Sequence, residues 1–256
     1  MIESIISLKS FQGVKVLLVI LPIDSSEARR AYNQVKRLCD GQKGIDDNGG
    51  IGIQSVCVHA EKFFKKNVHY LANVALKANI KLNGTNHTIK DQGLDFVERG
   101  TTMIVGIDVT HPGARSKDNA PSIAAVVATI DQHLAQWPAE LRLQRASKKE
   151  MVFDLYSMIR SRRNLWQSTD KNKKYPANIL IYRDGVSEGQ YKEVLNYELT
   201  QIDEACKDAY KMAKQGLPKV TYIVVGKRHH TRFFPTAKDD KTVHETSNFQ
   251  SGLVVD

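Results

Sequence analysis

The amino-acid sequence predicts an α/β protein built from two consecutive units, and three observations support this prediction. Short apolar runs rich in β-branched residues recur along its 256 residues and are typical of buried strands. Segments with helical periodicity alternate with these runs, which is the pattern of a sheet covered by helices. Two of the runs carry an aspartate, Asp108 in the middle of one and Asp184 at the end of another. We therefore expect two strands to deliver carboxylates to one functional place.

The first unit is predicted to contain two strands and two helices. The apolar runs at 14–21 and 53–58 are the strands. Asp24 and Glu27 have the spacing of a helix capping box, so the first helix is expected to begin there. An apolar stripe at helical spacing predicts the second helix at 68–80. Alternation of strand and helix predicts a small α/β layer with a parallel sheet.

The second unit is predicted to follow a connection at 90–100. Its expected elements are a strand around Asp108, strands at 121–130 and 141–144, a helix at 148–166, a strand at 178–184, a helix opened by capping-box residues 187–190, and a strand at 220–225. Three strands, a helix, a strand, a helix and a strand, with acids on the first and fourth strands, is the ribonuclease-H-like order.

The composition indicates a globular protein with an acidic partner. The net charge is +9, and nucleic acid is the usual partner of such a protein. A basic protein without a polyanionic partner is the alternative left open. The 3 cysteines lack paired spacing, which argues against a disulfide framework or a zinc site and favours a reducing compartment. No apolar run approaches the roughly 18 residues of a membrane span, so we expect a soluble protein of the cytoplasm or nucleus.

Carboxylates on predicted strands point to a cation site. An ionised Asp108 in a buried strand is costly unless a cation, a metal or a proton compensates it. Together with Asp184 it suggests one site for Mg²⁺ or Mn²⁺, which prefer oxygen ligands. Ordinary salt-bridged or turn-capping aspartates remain the alternative. Glu150 closes a capping-box spacing at 147–150, which favours a helix cap over a third acid of a two-metal site.

Cationic residues form two helix-spaced pairs and one run. Tyr32 and Lys36 share a face of the first predicted helix, and Lys77 and Lys81 share a face of the second. If both helices converge, three ammonium groups and a phenol could hold a phosphate. Spacing alone favours two solvated helix faces. The run at 227–232 follows a strand beside the acids and could track a sugar–phosphate backbone, although such a run is more often a solvated loop.

Taken together, several segments resemble the eukaryotic Argonaute family. The likeness to its PIWI domain rests on GIDVTHP at 106–112, PSIAAVV at 121–127, YRDGVSEGQ at 182–190 and VGKRHHTR at 225–232. The likeness to its MID domain rests on FQG at 11–13, YNQVK at 32–36, QSVC at 54–57 and LKANIKL at 76–82. The resemblance implies a Rossmann-like MID domain over 1–95 and the N-terminal part of a ribonuclease-H-like PIWI domain over 96–256.

The resemblance gives the cationic residues a role in binding RNA. In the family, the 5′-phosphate of a small guide RNA is bound by the residues that match Tyr32, Lys36, Gln54, Lys77 and Lys81. Contacts to the guide backbone are implied for Lys227, Arg228, His230 and Arg232. The segment 23–30 matches the loop that reads the first guide base, and its extra length and charge leave the base preference open.

The same resemblance gives the acids a catalytic role. Three of the four members of the family's metal-binding site for target RNA cleavage match Asp108, Glu150 and Asp184. Asp108 and Asp184 are the implied metal ligands, with Mg²⁺ or Mn²⁺ as the cofactor. The fourth member, usually His or Asp, lies beyond Asp256 in the family, and the PAZ and N-terminal domains are absent. We therefore expect a fragment that does not cleave RNA by itself.

Two functions follow from the resemblance. The first is an RNA-guided endoribonuclease, whose partners are a 5′-phosphorylated guide and a complementary target RNA. The second is a guide-binding silencing protein that recruits partner proteins without cutting. No membrane partner is expected in either case. Another ribonuclease-H-like nuclease or a transposase is a more distant interpretation, and it would not need the paired lysines.

Overall fold

The first unit consists of a two-stranded sheet flanked by helices. The computed structural model of the chain describes residues 13–40, 52–65, 67–88, 95, 100–114, 116, 119–144, 150–169, 174–227, 230–234, 249 and 254. The elements of this unit are β1 (Val16–Leu21), α1 (Ser25–Asp40), β2 (Gln54–His59), α2 (Ala60–Phe64) and α3 (Val68–Lys81). Strands β1 and β2 pair in parallel, which confirms the predicted sheet.

Local side-chain chemistry explains where the two long helices of this unit begin. Asp24 Oδ1 accepts hydrogen bonds from the backbone N–H of Ser26 and of Glu27, each at 2.9 Å, so α1 is capped as predicted. Residues 25–30 therefore lie within α1, not in a loop as the resemblance implied. At the start of α3, Asn67 Oδ1 accepts from the backbone N–H of Tyr70 at 3.1 Å.

The second unit is a five-stranded mixed sheet with two long helices. Its elements are β3 (Thr102–Thr110), β4 (Ser122–Ala128), β5 (Ala139–Gln144), α4 (Leu155–Thr169), β6 (Asn178–Asp184), a 3₁₀ turn (Glu188–Gln190), α5 (Tyr191–Met212) and β7 (Lys219–Val225). The strand order is β5-β4-β3-β6-β7. Strands β3, β4 and β5 are joined antiparallel, whereas β3, β6 and β7 run parallel. The predicted ribonuclease-H-like order is confirmed.

The core of this unit lies between one face of the sheet and helices α4 and α5. Its buried members include Val105, Ile107, Val126, Ile159, Ile181 and Ile202. Because side chains alternate along a strand, Asp108 lies on the opposite face from Ile107 and is exposed. The expectation that Asp108 is a buried charge is therefore wrong, and no burial cost has to be compensated there.

One helix begins later than the sequence pattern predicts. The pattern predicts a start at 148, but α4 begins at Leu155. The backbone N–H of Val152 donates to Glu198 Oε1 at 3.0 Å, and that of Phe153 donates to Gln144 Oε1 at 2.8 Å. These side-chain acceptors hold the segment from Glu150 onward outside the helix. The interpretation of Glu150 as a helix cap is therefore wrong, and residues 145–149 lie outside the described part of the chain.

The predicted capping box before α5 also differs from the observed structure. Ser187 makes no side-chain cap, because its hydroxyl donates instead to Gln190 Oε1 at 2.8 Å, and a 3₁₀ turn precedes the helix.

Among the described helices, none combines the length and the apolar character needed to cross a bilayer.

A hydrogen-bonded loop joins the two units. Asp131 accepts the backbone N–H of Gln136 at 2.7 Å and so shapes the loop between β4 and β5. The Gln136 side-chain amide donates to the carbonyl oxygens of Ile80, at 3.1 Å, and Gly84, at 3.0 Å. The last turn of α3 is therefore fastened to the second unit. A domain division at 95/96 stays a prediction.

Candidate functional site

The first candidate site is a cationic cluster, defined here as Tyr32, Lys36, Gln54, Lys77 and Lys81. Lys36 Nζ, from α1, donates to the carbonyl oxygen of Ser55 at 3.1 Å and to its hydroxyl at 2.8 Å. Lys81 Nζ, from α3, donates to Gln54 Oε1 at 3.0 Å. Two helices thus bring ammonium groups to adjacent residues at the start of β2.

The remaining members of the cationic cluster lie one helical turn away. The Tyr32 ring centroid is 5.9 Å from Lys36 Nζ, and 43% of the Tyr32 surface is exposed. Lys77 is exposed and precedes Lys81 by one turn of α3. An accessible aromatic ring beside ammonium groups can stack on a base while the cations face a phosphate.

The second candidate site is an acid cluster, defined here as Asp108, Glu150 and Asp184. Strands β3 and β6 are neighbours, and Ile107 pairs with Arg183, so the following residues are the two aspartates. Gly185 has a φ of +86°, and a Cβ atom there would lie 3.3 Å from Asp108 Oδ1 and 3.6 Å from Glu150 Oε2. These two oxygens therefore face a gap that a glycine without a side chain leaves open.

The hydrogen bonds of the acid cluster leave one buried oxygen atom unsatisfied. Asp108 Oδ1 accepts from the backbone N–H of Val109 at 2.9 Å. Glu150 Oε1 is 3.0 Å from His111 Nε2, whereas Glu150 Oε2 is buried without a hydrogen-bond partner. Asp184 Oδ1 accepts from the backbone N–H of Gly185 at 2.8 Å, and Oδ2 forms an ion pair with Lys227. A buried carboxylate oxygen without a donor is costly unless a cation or proton is supplied.

The donor chemistry of the acid cluster suits a hard divalent cation. Carboxylate oxygens are the ligands that Mg²⁺ and Mn²⁺ prefer, and the unsatisfied Glu150 Oε2 faces the same gap as Asp108 Oδ1. Within the described residues, however, no three His, Cys, Asp or Glu side chains are grouped so that they could hold one ion. Asp184 is turned toward Lys227 and would have to exchange that ammonium group for a metal.

The predicted guide-backbone residues are only partly described. Lys227 is the ion-pair partner of Asp184, so its ammonium group faces the acid cluster. His230 and Arg232 are exposed, and Arg232 Nη1 donates to the carbonyl oxygen of Thr231 at 2.9 Å. Arg228 lies outside the described residues. The backbone role of these residues stays a prediction.

The sequence interpretation missed several residues that shape both sites. Ser55 is fully buried and holds Lys36, but nothing in the sequence pairs these two positions. Arg183 and Glu198 form a fully buried ion pair behind the acid cluster. A signal existed for Glu198, because it interrupts the apolar stripe of α5 between Val194 and Ile202, at a spacing of four residues.

Comparison with known proteins decides the family. A family model described as the Piwi domain matches residues 16–256. The chain belongs to the Piwi domain family. The protein argonaute 18 of Oryza sativa subsp. japonica is 39% identical to it over 248 residues, which are 95% of this chain but 21% of that protein. This Piwi chain thus spans about one fifth of the length of that relative.

Solved Argonaute structures match the fold of this Piwi family member. The MID-PIWI domains of N. crassa QDE-2 share 40% identity and superpose with a TM-score of 0.68, over 87% of this chain and 58% of that one. Kluyveromyces polysporus Argonaute with a guide RNA shares 25% identity, with a TM-score of 0.75, over 96% of this chain and 26% of that one. The chain is therefore a MID-PIWI segment of a eukaryotic Argonaute.

Proposed function

We propose that this chain binds the 5′-phosphorylated end of a small guide RNA through the cationic cluster. The observation that supports the proposal is the convergence of Lys36 and Lys81, from separate helices, on Gln54 and Ser55 at the start of β2. Two solvated helix faces would not need to meet in this way. A structural neighbour, the Kluyveromyces polysporus Argonaute, was solved with a guide RNA, which supports the same ligand class.

The charge of a 5′-phosphorylated RNA end explains why the cationic cluster would prefer that end. A terminal phosphate carries close to two negative charges near neutral pH, whereas an internal phosphodiester carries about one. Ammonium groups held at fixed places by Gln54 and Ser55 gain charge-assisted hydrogen bonds to the additional charge. The exposed ring of Tyr32 offers a surface on which the first base can stack.

We further propose that the full-length protein uses the acid cluster to cleave a target RNA paired with the guide. Bound Mg²⁺ or Mn²⁺ would activate the attacking water and stabilise the leaving oxygen. Asp108 and Glu150 would offer the oxygens that face the gap beside Gly185, and Asp184 would join them after releasing Lys227. Base pairing between guide and target would supply the sequence specificity, with the protein holding the duplex by its shape and backbone.

A guide-binding protein that silences without cutting is the second candidate. One observation favours it: the Asp184 carboxylate forms an ion pair with Lys227. In that case the partners would be proteins of a silencing complex and the target RNA would only be bound. A cytoplasmic location, with access to the nucleus, suits either candidate and is part of the proposal.

The test of guide binding is a titration of short RNAs that differ only at the 5′ end. The full-length protein should bind the 5′-phosphorylated strand more tightly than the 5′-hydroxyl strand by about 10-fold or more, since a charge-assisted hydrogen bond contributes roughly 1.5–3 kcal/mol. Lys211 is an exposed lysine on α5, outside the cationic cluster, so Lys211→Ala should leave this preference intact and serves as a control. Equal affinity for both strands would contradict the proposal.

A further inference from the structure

A buried ion pair lies directly behind the acid cluster. Arg183 and Glu198 are both 0% exposed, and the Arg183 Nε atom is 3.1 Å from Glu198 Oε2. Arg183 immediately precedes Asp184 on β6 and faces the core, because side chains alternate along the strand. Glu198 reaches the same place from α5.

One guanidinium group ties together the main chains of two acid-cluster residues. Arg183 Nη1 donates to the carbonyl oxygen of Asp184, and Nη2 donates to the carbonyl oxygen of Glu150. The guanidinium is planar and presents its donors in a fixed fork. The relative placement of the Glu150 and Asp184 backbones is therefore set by one rigid group.

Glu198 also holds the segment that carries Glu150. Its Oε1 atom accepts the backbone N–H of Val152 at 3.0 Å, and its Oε2 atom accepts the hydroxyl of Tyr222. Burial, with the charge of Glu198 as the second cause, raises the pKa of Tyr222, so this hydroxyl stays protonated and donates. Arg183 and Glu198 thus hold the backbone on both sides of Met151.

Stability alone does not explain why a charged pair occupies this place. Removing two charges from water is expensive, and well-packed apolar residues in place of a buried ion pair are often neutral or stabilising. A positioning role would explain the pair, because Arg183 holds the main chain of Glu150, whose Oε2 atom lies without a donor at the gap beside Gly185.

We propose that Arg183 and Glu198 are positioning residues that hold the backbones of Glu150 and Asp184 in the geometry from which their carboxylates can bind a divalent cation for RNA cleavage. This inference rests on the proposed cleavage function. Neither residue touches the gap beside Gly185 in the described contacts, so both act through the acids. Residues that orient metal ligands in this way typically change metal affinity or activity by about 10- to 100-fold when they are replaced.

The decisive variant is Arg183→Lys in the full-length protein loaded with guide. Lysine keeps the positive charge beside Glu198 but lacks the planar fork, so it cannot reach Glu198, Asp184 and Glu150 together. The rate of cleavage of bound target should fall by about 10- to 100-fold, and the Mn²⁺ concentration for half-maximal rate should rise. Guide affinity should stay within twofold, since the cationic cluster lies in the first unit.

A matched control is available in the same unit. Arg162 is 8% exposed and its Nη2 atom is 2.9 Å from Glu140 Oε2, so it is also an arginine of a largely buried ion pair. Arg162→Lys should cost comparable thermal stability and leave the cleavage rate and the Mn²⁺ dependence unchanged. Equal rate losses in both variants, or no loss in Arg183→Lys, would overturn the positioning role.

A readout that needs no cleavage separates this inference from the proposed function. Hydrogen exchange of the peptide that covers residues 150–154 should be faster in Arg183→Lys than in the wild type or in Arg162→Lys, because the carbonyl and N–H anchors are loosened. This result holds even if the wild type does not cut, in which case cleavage alone is contradicted. Unchanged exchange would overturn the inference.

A milder variant covers the case in which Arg183→Lys does not fold. Tyr222→Phe removes one hydroxyl donor to Glu198 and keeps the ring. It should reduce the cleavage rate by roughly 2- to 10-fold and accelerate exchange in the same peptide. No change in either measurement would contradict the positioning role.

Discussion

The cationic cluster and the acid cluster are built in opposite ways. The lysines of the cationic cluster are long side chains on two helices, and the ends of Lys36 and Lys81 are anchored to β2. The acids are short side chains on two strands and one loop, and two of them are held through their main chains by Arg183. Hydrogen bonds thus hold the cationic cluster at the ends of its side chains and the acid cluster at its backbone.

This difference predicts how each site responds to change. In the cationic cluster several ammonium groups would share one terminal phosphate, so the loss of one ammonium group should weaken binding by a limited factor. In the acid cluster a bound cation would need its carboxylate oxygens at defined positions, and a misplacement of about 1 Å can cost 100-fold in rate. Loss of one lysine should therefore reduce guide affinity moderately, whereas loss of one acid should reduce the cleavage rate strongly.

The largest effect is expected for Asp184→Ala in the full-length protein. Loss of this carboxylate removes an oxygen at the strand end beside Asp108, and target cleavage should fall by at least about 1,000-fold. Guide affinity should not change, since β6 belongs to the other unit. Single-turnover cleavage and guide titration measure the two quantities. Asp203→Ala, an exposed acid on α5, is the control, and cleavage that survives Asp184→Ala would refute the metal mechanism.

The next largest effect is expected for Tyr32→Glu. The carboxylate would stand beside Lys36 and repel a terminal phosphate, and base stacking would also be lost. Affinity for a 5′-phosphorylated guide should fall by about 100-fold or more. Tyr32→Phe keeps the ring and should bind almost as well as the wild type. If the two variants bound equally, Tyr32 would not be part of the site.

A smaller effect is expected for Lys77→Ala or Lys81→Ala. Each removes one ammonium group from α3, and guide affinity should fall by about 10- to 100-fold. The loss should be confined to 5′-phosphorylated strands, so a 5′-hydroxyl strand serves as the internal control in the same titration. Equal losses for both strands would indicate a general electrostatic effect instead of a phosphate pocket.

The smallest effect is expected for Lys227→Ala, and it has the opposite sign. Lys227 is 72% exposed, and an exposed ion pair contributes little, but its ammonium group competes with a cation for Asp184. Affinity for Mn²⁺ should rise by about two- to fivefold. Mn²⁺ titration of the full-length protein measures this directly. A fall in affinity would mean that Lys227 supports the site and does not compete with the metal.

The fold was predictable because it follows from local periodicity. Strand and helix patterns indicated every long element, and the placement of Asp108 and Asp184 on two apolar runs indicated neighbouring strands, which β3 and β6 are. The start of α4 was predicted wrongly because the capping spacing before Glu150 is a local signal. The acceptor that decides the structure there, Glu198, lies 46 residues away from Val152.

The hydrogen bonds that hold the residues of the two sites in place could not be predicted for the same reason. Lys36 and Ser55 are 19 residues apart, and Arg183 and Glu198 are 15 apart, so only the folded chain makes them partners. Sequence resemblance marked the outer residues of each site, which are the ones that would touch RNA or metal. The buried residues that aim them carry no local pattern apart from a charge in an apolar stripe.

The amide of Gln136 has a consequence for the cooperativity of unfolding. From the second unit it donates to Ile80, in the last turn of the helix that carries Lys77 and Lys81, and to Gly84, just after that helix. Neither unit can therefore loosen at this point without removing hydrogen-bond partners from the other. We expect calorimetry to show one melting transition shared by the two units. Guide binding to the first unit should then raise the temperature at which the five-stranded sheet of the second unit unfolds.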